Sequence, residues 1–281
     1  MYSWKEYWAG IAHSYADDGA KGFSAVLHPD APGWFNTTID RLQHRAWRTG
    51  LRHCRIQPDS AVLDVGCGTG RWLRRYLEQQ LRPVGLDATA GMLRQATVFG
   101  VDCPLAAGYA QRLPFRNAAF GLVSAVTVVQ HLEYADQENA LKEMARVLRP
   151  GGRLLLLDLI RGDGPHIFPR RPEDWISQAA LAGLSLIEWS GQEYFVVDRA
   201  FVNCVQGIRK RLIGVRKLDS TQLPGQARLR GRNDAQSGLR RLYWATRHVT
   251  CAVSEWTEPI AEKICPDKLA THGLFIFEKR L

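Results

Sequence analysis

Val62-Leu63-Asp64-Val65-Gly66-Cys67-Gly68-Thr69-Gly70 joins an apolar strand to a glycine-rich turn and then to a helix beginning near Arg71. Such a crossing reads as a nucleotide-cofactor cradle. The first glycine lets the chain turn with positive φ, and the second has no side chain to keep a ligand off the backbone. A dinucleotide fingerprint needs a glycine three residues after Gly68, but position 71 is Arg. The spacing is instead G-x-G-x-G, with an acid, Asp64, two residues before the first glycine.

Working outward, the 281 residues suffice for one core of doubly wound size with additions, and 46% apolar residues is ordinary for a globular chain. No run approaches the ~18 apolar residues of a membrane span, and the N-terminus mixes Trp4, Lys5, Glu6, Trp8 and His13 without a signal-peptide layout, which predicts cytoplasmic residence. Cysteines at 54, 67, 103, 204, 251 and 265 fall singly, without metal-ligand spacing, so no metal site is expected and they read as reduced thiols. The net charge of +9 is uneven: residues 199–248 hold twelve basic residues against Asp219 and Asp234, so this segment carries +10 and the remainder −1. Charge concentrated in this way points to an anionic partner.

From Ser60 to Asp158 short apolar runs alternate with helical stretches, the pattern of a parallel sheet flanked by helices. Strands are predicted near 61–65, 84–87, 102–107, 120–126 and 153–158, with helices over 71–80, 89–98 and 136–148. Arg149-Pro150-Gly151-Gly152 stops the last helix and permits a reversal. A helix near 172–182, a strand near 185–197 and a last strand over 273–277 complete the alternation. Residues 1–58 read as an aromatic helical cap, and the stretch of roughly seventy residues before the last strand, longer than ordinary connections, reads as a basic helical insertion.

Asp87 ends the second strand about twenty residues after the glycine turn, where such folds present an acid to a ribose diol. Ala88 then approaches the adenine, and Met92 is either part of the same wall or an ordinary core methionine. Gly108-Tyr109-Ala110-Gln111-Arg112-Leu113-Pro114-Phe115, Val129-Gln130-His131-Leu132 and Glu143 to Gly152 follow in order. With Asp64, the glycine turn and Asp87, these stretches resemble the class I S-adenosylmethionine-dependent methyltransferases, small-molecule branch, over about residues 55–160.

The resemblance implies a Rossmann-like seven-stranded, mostly parallel α/β sheet with an antiparallel last strand. It also implies S-adenosylmethionine as cofactor, held by Asp64, Gly66, Gly68, Gly70, Asp87, Ala88, Met92, Ala110 and Gln111. Tyr109 stands where relatives carry an acid, so only Ala110 and Gln111 transfer, at backbone level. The core then spans 59–198 and 266–281, with the cap over 1–58 and the insertion, read as a substrate lid, over 199–265.

His131 follows the carboxyl end of the fourth strand, where substrates sit in open α/β sheets, and a neutral imidazole can take a proton near pH 7. It equally suits closing the sheet end. Trp8, Ala12 and Tyr15 match a W-x-x-x-A-x-x-Y pattern ahead of the glycine turn in related enzymes, which makes Tyr15 a second catalytic candidate. Trp4, Trp8 and Trp34 read as packing residues, and Lys21 and Arg41 as solvated cations or partners of the cofactor carboxylate. Arg209 and Arg211 are the substrate candidates, because guanidinium pairs grip phosphate. An anionic small-molecule or glycan-like acceptor, a nucleic acid, and transient membrane-surface contact through the apolar spacing of Phe201, Val205, Ile208, Leu212 and Ile213 all stay open. Thr127-Val128-Val129-Gln130 lacks the motif that grips a flipped base, which argues against base amino-group methylation. A non-catalytic cofactor-fold protein is the competing class.

Overall fold

The computed structural model describes residues 7–12, 31–162, 164, 167–213 and 234–280, without the side chains of 209–213, 234–237, 239 and 268. The strand quoted above, β1 (Ala61–Val65), is buried along nearly its whole length, as a strand covered by helices on both faces must be. It leads through the glycine turn into α3 (Arg71–Glu78), β2 (Arg82–Asp87), α4 (Ala90–Val98) and β3 (Leu105–Ala107). The chain then crosses back to β4 (Phe120–Val126), a 3-10 turn Val129–His131, α5 (Tyr134–Val147), β5 (Leu148–Leu159), α6 (Pro172–Leu181) and β6 (Leu184–Gln192). Two long helices, α7 (Val196–Ile213) and α8 (Asp234–Ile264), and a 3-10 turn Asp267–Leu269 precede β7 (His272–Lys279). Ahead of all these lie α1, over residues 7–12, and α2 (Gly33–Cys54).

Among the described residues the seven strands form one sheet in the order β3-β2-β1-β4-β5-β7-β6. The first five are parallel, and β7 is antiparallel to both its neighbours. The expected Rossmann-like sheet with an antiparallel last strand and a helical insertion before it is the observed fold. Strand order reverses between β1 and β4, which opens a crevice at their carboxyl ends.

Two expectations shift. Arg149-Pro150-Gly151-Gly152 is not a separate reversal but lies inside β5: Phe120 pairs with Leu148 and Leu122 with Arg153, so the extra residues bulge out, helped by Gly151 at φ +70°. The strand predicted to reach 197 ends at Gln192. Tyr194, Phe195, Val196 and Val197 have strand-like composition, but the buried Glu258 carboxylate of α8 accepts N–H bonds from Tyr194 (2.6 Å) and Phe195 (3.2 Å). The backbone leaves the ladder there and opens α7.

The cap and the insertion meet on one face. Gly50 of α2 lies against Leu155, Leu274 and Ile276, so α2 covers β5 and β7. Arg71, which broke the dinucleotide spacing, is buried and ties α3 to α2 through Asp40 (3.1 Å) and Gln43 (2.8 Å), over the ring of Trp72. Arg41 keeps a largely exposed side chain, as a solvated cation does, and pairs with Glu255 of α8, as Arg45 does with Glu262. Trp34 packs on His248 and Trp244, the packing role expected for it.

Two of the twelve cations counted in the insertion hold the fold together. Arg247 makes a buried two-pronged pair with Asp198 (3.1 and 2.6 Å), and Arg199 bonds Thr271 (2.7 Å) and the Leu269 carbonyl. Phe201 packs on Tyr243, so the apolar face predicted for α7 is in part an interface with α8, while Leu212 and Ile213 have side chains outside the described set. Removing one partner of a buried pair leaves the other charge uncompensated. Asp198→Ala is expected to lower unfolding free energy by about 3 kcal/mol in urea titrations.

Candidate functional site

The crevice floor is the glycine turn. Gly66 adopts φ +69°, and a Cβ there would meet Val128 at 2.5 Å, so the position admits only glycine for reasons internal to the fold. Gly68, at φ +54°, is different: a Cβ there would meet nothing within 4 Å among the described residues. Its backbone faces open space, as a ligand-approach position requires. The turn is held by Gly66 and Cys67 N–H groups donating to the Leu86 carbonyl (2.7 and 3.0 Å), while Gly70 N-caps α3.

Asp87 closes the cradle from the end of β2. One carboxylate oxygen accepts Gly68 N–H (2.9 Å) and the other accepts Thr89 N–H (2.7 Å). Burial raises its pKa above the ordinary value, although both N–H bonds pull the other way. A carboxylate accepts about four hydrogen bonds, so beyond the two N–H groups and the Thr89 side chain some acceptor capacity remains for a ligand hydroxyl. Ala88 follows at half-buried depth. Met92 is 2% exposed and packs against Ala12, beside Trp8 and Ile11 of α1.

Asp64 lies behind the turn. It is buried, accepts Ser124 Oγ–H on one oxygen (2.8 Å), and its other oxygen has no hydrogen-bond partner among the described residues. Burial pushes its carboxyl up to about 7, against the pull of the Ser124 bond. Ala110 is buried in the main core. Gln111 donates to Asp136 at the start of α5 (3.1 Å), and its amide oxygen is buried without a hydrogen-bond partner among the described residues. The Tyr109 side chain is 42% exposed.

Across the switch point, His131 ends the 3-10 turn after β4, with the Trp8 ring edge-on at 5.1 Å and Gln130 Nε2 at 3.4 Å from its Nε2. The segment α1 thus touches both the α4 side, where Ala12 meets Gly91 and Met92, and the β4 side, and it spans the crevice. Tyr15, Trp4 and Lys21 lie outside the described residues, as do the side chains of Arg209 and Arg211.

Sequence reasoning missed what holds His131. Asp158, wholly buried at the end of β5, accepts N–H bonds from Val129 (2.9 Å), Gln130 (3.3 Å) and Leu159 (3.3 Å). Gln130 accepts Leu159 N–H on its side chain (2.9 Å) and Phe168 N–H on its carbonyl (2.7 Å). Burial pushes the Asp158 carboxyl up to about 7, opposed chiefly by His272. Burial also works against a charged His272, but Glu193, 3.2 Å away, outweighs it and raises that pKa. An acid ending a leucine-rich strand was the available signal. Before the turn, Thr127 adopts φ +57°, a costly conformation for a β-branched residue.

The fold and this crevice define an open α/β protein that takes a nucleoside-bearing cofactor at its switch point. Comparison with known proteins makes the class specific. Residues 62–152 match the family described as "Methyltransferase domain". A ubiquinone/menaquinone biosynthesis C-methyltransferase of Bordetella parapertussis is 30% identical over 203 residues, 68% of this chain and 74% of that protein. The probable tRNA methyltransferase 9B of Mus musculus is 34% identical, but over 41% of this chain and 25% of that one. The Haemonchus contortus phosphoethanolamine N-methyltransferase 2, solved with S-adenosyl-L-methionine, shares the fold at 17% identity and a TM-score of 0.55, covering 100% of this chain and 61% of that one. The chain belongs to the class I S-adenosylmethionine-dependent methyltransferases, and S-adenosylmethionine is its cofactor.

Three outcomes test this geometry. Gly66→Ala is expected to cost about 3 kcal/mol of stability, because strain and the Val128 clash add. Gly68→Ala costs about 1 kcal/mol from φ alone but fills the open approach, so calorimetry finds cofactor affinity reduced while circular dichroism is unchanged. For Asp64, a folded pKa near 7 lies above the ordinary value near 4, so the folded state binds the extra proton. Stability from this group is full below about pH 4 and is lost as pH rises through about 7. Asp64→Asn removes this loss: relative to wild type it gains on the order of 2 kcal/mol between pH 5 and pH 8 in urea titrations.

Proposed function

We propose that this methyltransferase acts on a small-molecule acceptor whose oxygen, nitrogen or activated ring carbon becomes nucleophilic on loss of a proton, with His131 as the group that takes it. The observation that carries the reading is the rigid placement of His131. Asp158 and Gln130 fix its turn at the carboxyl end of β4, and the Trp8 ring lies against it on the side of α1. A neutral imidazole can take a proton from such an acceptor.

In this reading Asp87 receives the ribose hydroxyls, Gly66, Gly68 and Gly70 give the backbone approach, and Ala88, Met92, Ala110 and Gln111 line the adenine side. Asp64 supports the turn from behind. The open space at Gly68 and the spare acceptor capacity of Asp87 fit a nucleoside. Bound there, S-adenosylmethionine supplies an already activated methyl group. The chain's own residues therefore mainly align the acceptor, exclude water and hold one proton at the His131 ring. Tyr15 is carried forward as a second group facing the acceptor, and Arg209 and Arg211 as the grip on an anionic substituent. The similarity to a quinone-pathway C-methyltransferase over 74% of that protein supports a small acceptor and adds carbon to the oxygen and nitrogen foreseen from sequence.

A nucleic-acid acceptor is the second reading, favoured by the +10 of residues 199–248 and by the partial likeness to a probable tRNA methyltransferase. Titration of RNA at two salt concentrations separates them: tight binding that falls steeply with salt supports the second reading. For the first, labelled-methyl transfer is screened against metabolite extracts. With the acceptor so found, His131→Gln is expected to lower kcat by about 10²–10⁴ while leaving cofactor affinity unchanged. An unaltered kcat removes His131 from the chemistry.

A further inference from the structure

α8 buries polar groups beside the apolar Cys251 and Ala261 and turns an apolar stripe outward. The side packed on α2 and α7 carries Arg247, Ser254 and Glu258, buried and hydrogen-bonded or ion-paired. The side facing solvent carries Leu242, Val249, Val253, Trp256, Ile260 and Ile264, between 40% and 77% exposed. Their spacing of seven, four, three, four and four residues keeps them in one stripe, about 33 Å long at 1.5 Å per residue. An ordinary surface helix turns its charges outward, and an exposed apolar stripe of this length marks an interaction surface.

Charge identifies the partner. The acids of α8 with described side chains are withdrawn from the outer face: Glu255 pairs with Arg41, Glu262 with Arg45, and Glu258 accepts backbone N–H groups. Arg240 and Arg241 at one end of the stripe and Lys263 at the other are exposed. Two copies meeting antiparallel through this face would set Arg240 and Arg241 against the Lys263 of the other copy, an unfavourable pairing of like charges. A negatively charged lipid surface has no such conflict: cations meet headgroups while Trp256 and its aliphatic neighbours enter the acyl boundary. None of the described helices is long and apolar enough to cross a membrane, so α8 would lie along one.

We propose that the outer face of α8 docks this protein onto an anionic membrane surface. The insertion is rooted where Gln192 and His272 pair beside Leu159, at the carboxyl end of the sheet. This differs from the surface foreseen on α7, where Phe201 is engaged with Tyr243. The inference stands on exposure and charge alone and does not depend on the acceptor.

The test is co-sedimentation of the full chain with vesicles of phosphatidylcholine alone or mixed with phosphatidylglycerol. The wild type is expected to pellet with the mixed vesicles, and to do so less at high salt. The double variant Trp256→Asp, Ile260→Asp is expected to lose at least about tenfold in binding, with its circular dichroism spectrum and cofactor affinity unchanged. Should that variant fail to fold, replacing Arg240, Arg241 and Lys263 by Gln gives the same loss through charge. Wild type that stays in the supernatant, equal binding to neutral vesicles, or folded variants that bind like wild type overturns the proposal. So does a concentration-dependent dimer, seen by sedimentation velocity without lipid and abolished by the double variant, which would assign the face to a second copy.

Discussion

The Asp87 carboxylate, bonded at once to Gly68 N–H and Thr89 N–H, is the constraint on which the rest of the site depends. It ties the turn after β1 to the turn after β2, so the floor and the wall of the crevice form one unit. The geometry is fixed before any ligand arrives, because the donors are backbone groups whose positions follow from the parallel register of the two strands. Burial makes the carboxylate costly when charged, and that cost is tolerated where further hydrogen bonds from a ligand offset it. The same logic recurs on the other side of the switch point. There Asp158 gathers three N–H groups and fixes the turn that carries His131. Two carboxylates, the half-buried Asp87 and the buried Asp158, thus position the two halves of the crevice.

Much of this was legible in the sequence because it is local. A strand, a glycine turn and an acid about twenty residues on are a contiguous pattern, and β1, β4, α4 and α6 fall within a residue or so of their expected limits. What was not legible depends on partners distant in the chain. Asp158 meets Val129 across 29 residues, and Glu258 meets Tyr194 across 64. Tyr194 to Val197 read as strand on composition, and only the distant Glu258 pulls them out of the ladder. Pro150 and the two glycines after it read as a break, yet a sheet can absorb such residues as a bulge when the apolar run beyond them is strong enough to resume pairing.

The insertion shows how net charge misleads until charges are placed. Its +10 suggested a single anion-binding patch, but Arg199 and Arg247 are consumed in holding α7, α8 and the 3-10 turn before β7 together. Of the acids of α8 with described side chains, Glu255 and Glu262 pair with α2 and Glu258 accepts backbone N–H groups, which leaves an outer surface that is apolar with basic ends. Patterning of polarity by face, which only the fold reveals, is therefore more informative there than the count of cations. The cap serves the same construction: α2 supplies Arg41 and Arg45 to α8, and α1 supplies Trp8 and Ala12 to the crevice. Sequence regions outside the shared methyltransferase core thus shape both the site and its surroundings.

The most direct test of the central claim, that a carboxylate at the end of β2 preorganises the cofactor cradle, is calorimetric titration of S-adenosylmethionine into wild type, Asp87→Asn and Asp87→Ala. Saturable binding by wild type is expected, with losses of at least about tenfold in both variants, larger in Asp87→Ala, each with an unchanged fold. Equal affinity in all three proteins, or no binding by wild type, would contradict it.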